Sequence, residues 1–182
     1  METNQSVIFK SAAQAAGIIA AVMISLQLIV FVMNPKGMVV GMIVGLVSLI
    51  LYVVGMVIYG KKYRAERPDG IINFSDMLIY LLFISGIYTA IMIIYSVLYY
   101  KVIDPEYVQK ALENMQEMFD KMNAPQAARE AAIEKMKATS FGQTMMSVVY
   151  SNAGLGVVVS LIVAAVLKKK DKGMDALLKE LE

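Results

Sequence analysis

Long apolar runs dominate the hydrophobic pattern of this chain. Four of them are long enough for a membrane-spanning helix, which needs about 20 predominantly apolar residues because its backbone polar groups must satisfy one another inside the hydrocarbon. The four predicted spans are residues 12–33, 37–59, 77–100 and 144–167. We therefore expect an all-α integral membrane protein, a four-helix bundle in which residues 1–182 form a single membrane domain.

The polar residues between the apolar runs predict the topology. Spans one and two are separated only by residues 34–37, a Pro- and Gly-containing turn that makes the two helices antiparallel neighbours. Basic residues concentrate on the face that carries both termini, where Lys61, Lys62 and the cluster that begins at Lys168 flank the spans. By the positive-inside rule we expect a multi-pass protein with both termini in the cytoplasm.

The one long polar stretch, residues 101–140, is predicted to lie on the extracytoplasmic side. Asp104 before Pro105 and Asn123 before Pro125 are typical of capped helix starts, so we expect two helices that form a helical hairpin. The first helix carries an apolar stripe at three- and four-residue spacing: Val108, Leu112, Met115, Phe119 and Met122. This stripe either packs on the partner helix or the membrane surface, or docks another protein, and the pattern leaves both open.

The last residues, 168–182, form a lysine cluster followed by apolar positions on one helical face. This pattern is typical of a cytoplasmic amphipathic helix that lies on anionic lipid. The alternative is an ordinary topology-setting lysine cluster with a frayed end.

Small residues recur at every fourth position of the predicted spans. Such spacing lets helices approach closely in lipid, where van der Waals contact drives association. We expect helix packing at Ala13, Gly17, Ala21, Gly37, Gly41, Gly45, Gly156 and Ser160. The alternatives are self-association into a homo-oligomer through an exposed glycine face, or a conduction path.

Charged residues avoid the middle of every predicted span, whereas transport chemistry usually depends on an ionisable group at membrane depth. Asp76 lies at the start of span three, where a carboxylate stabilises a helix N-terminus. Gln27 and Asn152 are the amides nearest mid-span, and we expect interhelical hydrogen bonds from both. Most of the ten tyrosines are assigned to an interfacial aromatic belt, and the deeper Tyr88 and Tyr95 to core packing.

Composition narrows the chemistry further. The chain is 58% hydrophobic and contains neither cysteine nor histidine, which excludes disulfides, thiolate chemistry and histidine metal ligands. No catalytic triad, paired intramembrane carboxylates or Walker-type loop is found. We therefore expect no catalytic residue, no cofactor, no metal and no enzyme activity. The net charge of +2 gives no support for nucleic-acid binding.

Several short motifs resemble an uncharacterised Bacteroidetes-type family of four-helix integral membrane proteins, domain of unknown function 4199. These motifs are DGIINF at 69–74, IDPEY at 103–107 and the LKKK that ends the last span, with matching positions at Gly70, Phe74, Pro105 and Tyr107. The resemblance implies a location in the bacterial inner (cytoplasmic) membrane. It implies no agreed activity, cofactor or site.

Two functional hypotheses result. The first is a structural or accessory protein that lies in the lipid bilayer and presents the hairpin, residues 104–140, to a membrane or periplasmic protein. The alternative is a small oligomeric transporter or channel that uses the Gly37 to Gly45 face. An enzyme would require a polar cavity that joins Gln14, Asn152 and Asp76.

Overall fold

The computed structural model describes residues 2–33, 38–67 and 71–168 and is helical almost throughout. Its helices are α1 (Glu2–Met33), α2 (Met38–Ala65), α3 (Phe74–Leu98), α4 (Tyr107–Lys121), α5 (Gln126–Ala138) and α6 (Phe141–Leu167). Helices α1, α2, α3 and α6 are each long and apolar enough to cross a membrane, and α3 continues through a π-helical turn, Tyr99–Ile103. The all-α class and the four spans are confirmed.

The four long helices form a bundle with α3 at its centre. Helix α3 packs most extensively on α6 and α1, and α2 packs on α6, α1 and α3. Antiparallel α1 and α2 meet where Gly55 faces Ile19. A Cβ added to Gly55 would lie 2.8 Å from the Ile19 side chain. The terminal end is the end of the bundle at which α6 finishes, near Leu167. The distal end is the opposite one, which carries α4 and α5.

Polar contacts join three helices at the terminal end. Arg64 of α2 donates a hydrogen bond to the Leu167 carbonyl over 3.2 Å, which satisfies an open carbonyl at the end of α6. Arg67 donates to the Tyr63 hydroxyl over 2.8 Å and lies 3.9 Å from Asp76. Asp76 is in the first turn of α3, so its position agrees with the predicted helix N-terminus.

The starts of α4 and α5 differ from the predicted ones. Glu106 and Pro125 occupy the cap positions, and neither makes a side-chain cap hydrogen bond. Asp104 instead accepts a hydrogen bond from Lys110 Nζ at 2.7 Å, and Asn123 adopts a positive φ of 48° that Asn tolerates better than most residues. The predicted caps at Asp104 and Asn123 are therefore wrong, because both side chains have other roles.

Three predicted features lie outside the described residues. They are the turn 34–37 with Gly37, the matching position Gly70, and the tail 169–182.

Candidate binding cavity

The terminal half of the bundle is densely packed. Ala15 and Ala16 of α1 are completely buried, which lets that helix lie close to its neighbours. Tyr52 donates a hydrogen bond to Ser85 over 3.2 Å, and a Cβ added to Gly156 would overlap the Ser85 hydroxyl. Helices α2, α3 and α6 therefore touch at one point near the middle of the bundle.

Toward the distal end, α3 is the one of the four long helices that still has buried residues in the described part of the chain. No residue in 24–33, 40–51 or 141–155 is buried, whereas α3 still buries Tyr88 and Tyr95. The space between these helix segments is a cavity of about 410 Å³, which we call the tyrosine cavity. This volume is in the range of about 300–1,000 Å³ that small-molecule sites occupy in proteins.

Uncharged polar groups are prominent in the lining of the tyrosine cavity. Six tyrosines contribute to it: Tyr52, Tyr88, Tyr95, Tyr99, Tyr100 and Tyr107. The remaining polar side chains there are Gln27, Ser48, Ser96 and Asn152. None of the described residues that line this cavity is Asp, Glu, Lys or Arg. The cavity thus offers aromatic faces and neutral hydrogen-bonding groups without a formal charge.

Three of these polar groups retain unused hydrogen-bonding capacity. Tyr95 is only 8% exposed, and its buried hydroxyl has no hydrogen-bond partner among the described residues. Asn152 donates to the Val148 carbonyl of its own helix over 2.8 Å, so its amide oxygen remains open. The side chain of Gln27 makes no hydrogen bond within the described part of the chain. The predicted interhelical hydrogen bonds of Gln27 and Asn152 are not found there.

A second cavity of about 760 Å³, which we call the vestibule, adjoins the tyrosine cavity at the distal end. The two cavities share Val30, Val44, Tyr99 and Tyr107 in their linings. Helix α4 contributes one wall of the vestibule with Lys110, Ala111, Asn114, Met115 and Met118. The tyrosine cavity therefore borders a larger space beside α4, whose lining includes Asp104 and Lys110 as well as apolar side chains.

An ion pair lies in the wall of the vestibule. Asp104 is only 5% exposed, and Lys110 reaches it at 2.7 Å while lying 5.8 Å from the centre of the Phe31 ring. The hydrogen bond that Lys110 donates to Asp104 raises the pKa of Lys110 above its ordinary value, because the carboxylate stabilises the charged ammonium. This pair links α4 to the end of α1 and to the π-helical turn.

The residues predicted for helix packing occupy different environments. Gly156 and Ser160 are buried between helices, as expected for close contact. By contrast, a Cβ at Gly17, Gly41 or Gly45 would meet nothing within 4 Å. Ala13 is half-buried and Ala21 exposed, so the fully buried face of α1 is the neighbouring one, at Ala12, Ala15, Ala16 and Ala20.

The predicted docking stripe of α4 is incompletely covered. Leu112, Met115 and Phe119 are half-buried, and Val108 and Met122 are exposed. A third cavity of about 530 Å³ at the terminal end contains Gln14, but its lining includes neither Asn152 nor Asp76. Those three residues therefore share no described cavity.

The sequence pattern did not predict that tyrosines line a cavity inside the bundle. Five of the ten are buried inside the bundle: Tyr52, Tyr63, Tyr80, Tyr88 and Tyr95. Tyr52 and Tyr80 therefore pack in the core of the bundle rather than on its outer surface. The seven-residue spacing of Tyr88 and Tyr95 was the one signal that indicated a shared inward face.

Comparison with known proteins gives one result. The family described as "Protein of unknown function (DUF4199)" matches residues 14–169, which include all four long helices in whole or in part. No curated protein and no solved structure matches the chain.

Proposed function

Because this chain belongs to the DUF4199 family, whose description states no activity, we propose from its geometry that it is an accessory membrane protein. In this proposal the α4–α5 hairpin, at the distal end of the bundle, is presented to a partner protein. The partner is a membrane or periplasmic protein with an apolar helix, the natural complement of a Met- and Leu-containing helical face.

One observation carries the proposal. Neither α4 nor α5 contains a buried residue, although α4 has a continuous apolar stripe. An amphipathic helix normally buries such a stripe against its own protein. Val108 and Met122, at the two ends of the stripe, are 49% and 66% exposed. An apolar stripe left open in this way is typical of an interaction surface.

The hairpin has the rigidity that a docking surface needs. Arg129 of α5 donates to the carbonyl oxygens of Ala124 and Phe119 over 2.8 and 3.0 Å, and it pairs with Asp120. Arg129 thus provides a donor for the Ala124 carbonyl in the turn and a second donor for the Phe119 carbonyl, which also accepts the Ala124 N–H, and these bonds fix the turn between the two helices. The hairpin therefore holds its shape without burial in the bundle, which reduces the entropy lost on binding.

We further propose that the protein lies in the bacterial inner membrane with the hairpin outside the cytoplasm. Among the described residues, the terminal end carries Lys61, Lys62, Arg64 and Lys168 beside the spans, whereas the distal end carries Lys101 and Lys137. This asymmetry favours a cytoplasmic terminal end by the positive-inside rule.

The test is co-purification from native membranes after gentle extraction, with mass spectrometry of the proteins that remain bound. We expect deletion of residues 106–138, or the substitution Val108→Asp, to remove a specific partner. Gln116→Asp is the matched control, because it adds the same charge to the exposed side of α4 outside the stripe. An unchanged set of bound proteins after the deletion would contradict the proposal.

A small oligomeric transporter is the second candidate, and the tyrosine cavity favours it. Gly45 and Gly41 line the tyrosine cavity and the vestibule, and on the same helix Ile43 and Leu46 are exposed, a surface suited to a second copy of the chain. This candidate requires solute flux in proteoliposomes that falls on Asn152→Leu, which would replace a polar amide of the cavity lining by an apolar side chain. Flux equal to that of empty liposomes would exclude it.

A further inference from the structure

We propose that a groove between α1 and α2 at the terminal end binds the phosphate headgroup and one acyl chain of an anionic phospholipid. This groove, which we call the α1–α2 groove, is the cavity of about 530 Å³ that contains Gln14. It is lined by Ser11, Gln14, Gly17, Ile18, Tyr59 and Lys62. The site goes beyond the docking function proposed above, because none of the described residues of α4 and α5 belongs to this lining.

The groove exists because α1 and α2 are in contact at one level of the bundle and separated at the next. At the first level, a Cβ added to Gly55 would lie 2.8 Å from the Ile19 side chain. Nearer the terminal end α2 packs on α6 instead, since a Cβ added to Gly60 would lie 2.6 Å from Leu167. On the α1 side, a Cβ added to Gly17 would meet nothing within 4 Å. Space for a ligand therefore remains between the two helices.

The walls of the α1–α2 groove are held in place through α3. The hydroxyl groups of Ser11 on α1 and Tyr80 on α3 are hydrogen-bonded over 3.2 Å. The Tyr80 ring in turn stacks on the ring of Tyr63 on α2, with the ring centroids 3.9 Å apart. Since Tyr80 is only 1% exposed, it fixes the positions of both walls from behind. A groove formed in advance in this way reduces the entropy lost on binding.

The polar end of the groove presents donors without partners. In the described part of the chain, Lys62 forms no ion pair, and the Gln14 amide and the Tyr59 hydroxyl form no hydrogen bond. An ammonium, an amide and a phenol all donate, and the free oxygens of a phosphodiester accept. None of the described lining residues is Asp or Glu. The lining therefore matches a phosphate group.

The charge around the groove favours a lipid with net negative charge. Lys10 is exposed one turn before Gln14 on the same face of α1. Glu66 is exposed one turn beyond Lys62 on the same face of α2. Two cations thus outweigh one carboxylate at the mouth of the groove. An anionic headgroup gains from this balance, whereas the quaternary ammonium of a zwitterionic choline headgroup is repelled by it.

Apolar surface continues from the groove toward the middle of the bundle. Gly17 leaves room for a chain, and Ile18 and Val22, one turn apart on α1, are 53% and 47% exposed. Ile58 on α2 is 56% exposed. An acyl chain gains little free energy by moving from bulk lipid onto such a surface, so the headgroup supplies the selectivity and the chain the orientation. This apolar extension is what favours a phospholipid over a free phosphate ion.

The test is native mass spectrometry and thermal unfolding of the full chain in a neutral detergent, with dioleoylphosphatidylglycerol compared with zwitterionic dioleoylphosphatidylcholine. We expect the anionic lipid to bind and to raise the melting temperature, and the zwitterionic lipid to bind more weakly. Lys62→Gln should weaken binding of the anionic lipid by about fivefold, the value of one basic residue beside anionic lipid. Lys61→Gln is the matched control, because Lys61 is an exposed lysine outside the groove lining and its loss should leave binding unchanged.

A second variant tests the place of the acyl chain. Gly17→Leu should obstruct the groove and weaken binding, and Gly86→Leu, at an equally open position on α3, should not. Without lipid, Lys62→Gln should melt at the same temperature as the parent, because its side chain is exposed and unpaired.

Three results would overturn the proposal. They are equal binding of the two lipids, equal losses in Lys61→Gln and Lys62→Gln, and unweakened binding in Gly17→Leu. Displacement of the anionic lipid by millimolar inorganic phosphate would also overturn it, since the site would then be one for the free ion.

Discussion

The hydroxyl of Tyr52 on α2 donates a hydrogen bond to Oγ of Ser85 on α3 over 3.2 Å. Both residues are almost completely buried, at 2% and 4% exposure, and Ser85 lies directly against Gly156 of α6. Because Tyr52 also lines the tyrosine cavity, this hydrogen bond lies where the packed half of the bundle meets the open half. Its geometry leads to the first prediction.

Gly156→Ala should destabilise the protein. The added Cβ would overlap the Ser85 hydroxyl and press α6 away from α3, and overpacking of this kind costs about 1–3 kcal/mol. The measurement is thermal or denaturant unfolding of the detergent-solubilised protein. Gly154→Ala is the matched control on the same helix, because a Cβ there meets nothing within 4 Å. A control variant as unstable as Gly156→Ala would show that Ser85 is not the cause.

Gly41→Leu should change self-association without changing the fold. Gly41 lines the vestibule, where an added Cβ meets nothing within 4 Å, so the unfolding free energy of the variant should remain within about 0.5 kcal/mol of that of the parent. If copies of the chain meet through this face, the bulky side chain will separate them and lower the oligomer fraction in cross-linking or mass photometry. Gly86→Leu, on α3 and equally open, should leave that fraction unchanged.

Arg129→Lys should loosen the α4–α5 hairpin. The planar guanidinium bonds Ala124 and Phe119 at once, and a lysine ammonium cannot reproduce this fork. Hydrogen exchange should therefore speed up at residues 107–138 and remain slow in the four spans. Lys135→Gln removes an exposed charge from the same helix and should have no such effect. Unaltered exchange in Arg129→Lys would show that the turn is held by other contacts.

The Lys110–Asp104 pair should persist across the physiological pH range. The pKa of Lys110 is raised above its ordinary 10.5, so the contribution of the pair is complete below that pH and is lost as the pH rises through the raised pKa. Spin labels on α1 and α4 should report a constant distance from pH 7 to 10. The distance should lengthen once the pH rises above the raised pKa of Lys110. Lys110→Met removes the titrating group, so its label distance should not change with pH.

The four spans could be predicted because their cause is local. Each run of apolar residues must hydrogen-bond its own backbone inside lipid, whatever its neighbours are. The helices extend beyond the predicted limits, since α6 begins at Phe141 rather than Thr144 and α1 begins at Glu2 rather than Ala12.

The packing faces could not be predicted from spacing alone. Helix α1 has two adjacent stripes of small residues, and the bundle buries Ala12 and Ala16 rather than Ala13 and Gly17. Both stripes satisfy the same spacing rule, so the choice depends on where α2 and α3 lie. The Asp104 side chain likewise binds Lys110 instead of capping the helix that follows it, a choice between two nearby partners that the spacing leaves open.

The uneven core has a consequence for how the bundle loses structure. Local unfolding is easiest where few side chains are buried, and between residues 24–33, 40–51 and 141–155 there is no buried side chain to hold the helices together. Heat or mechanical force should therefore separate these segments first, while Ala15, Met56 and Ile84 still hold the opposite end. The bundle can therefore open at its distal end while its terminal end stays closed, so that opening does not create a continuous path through the four helices.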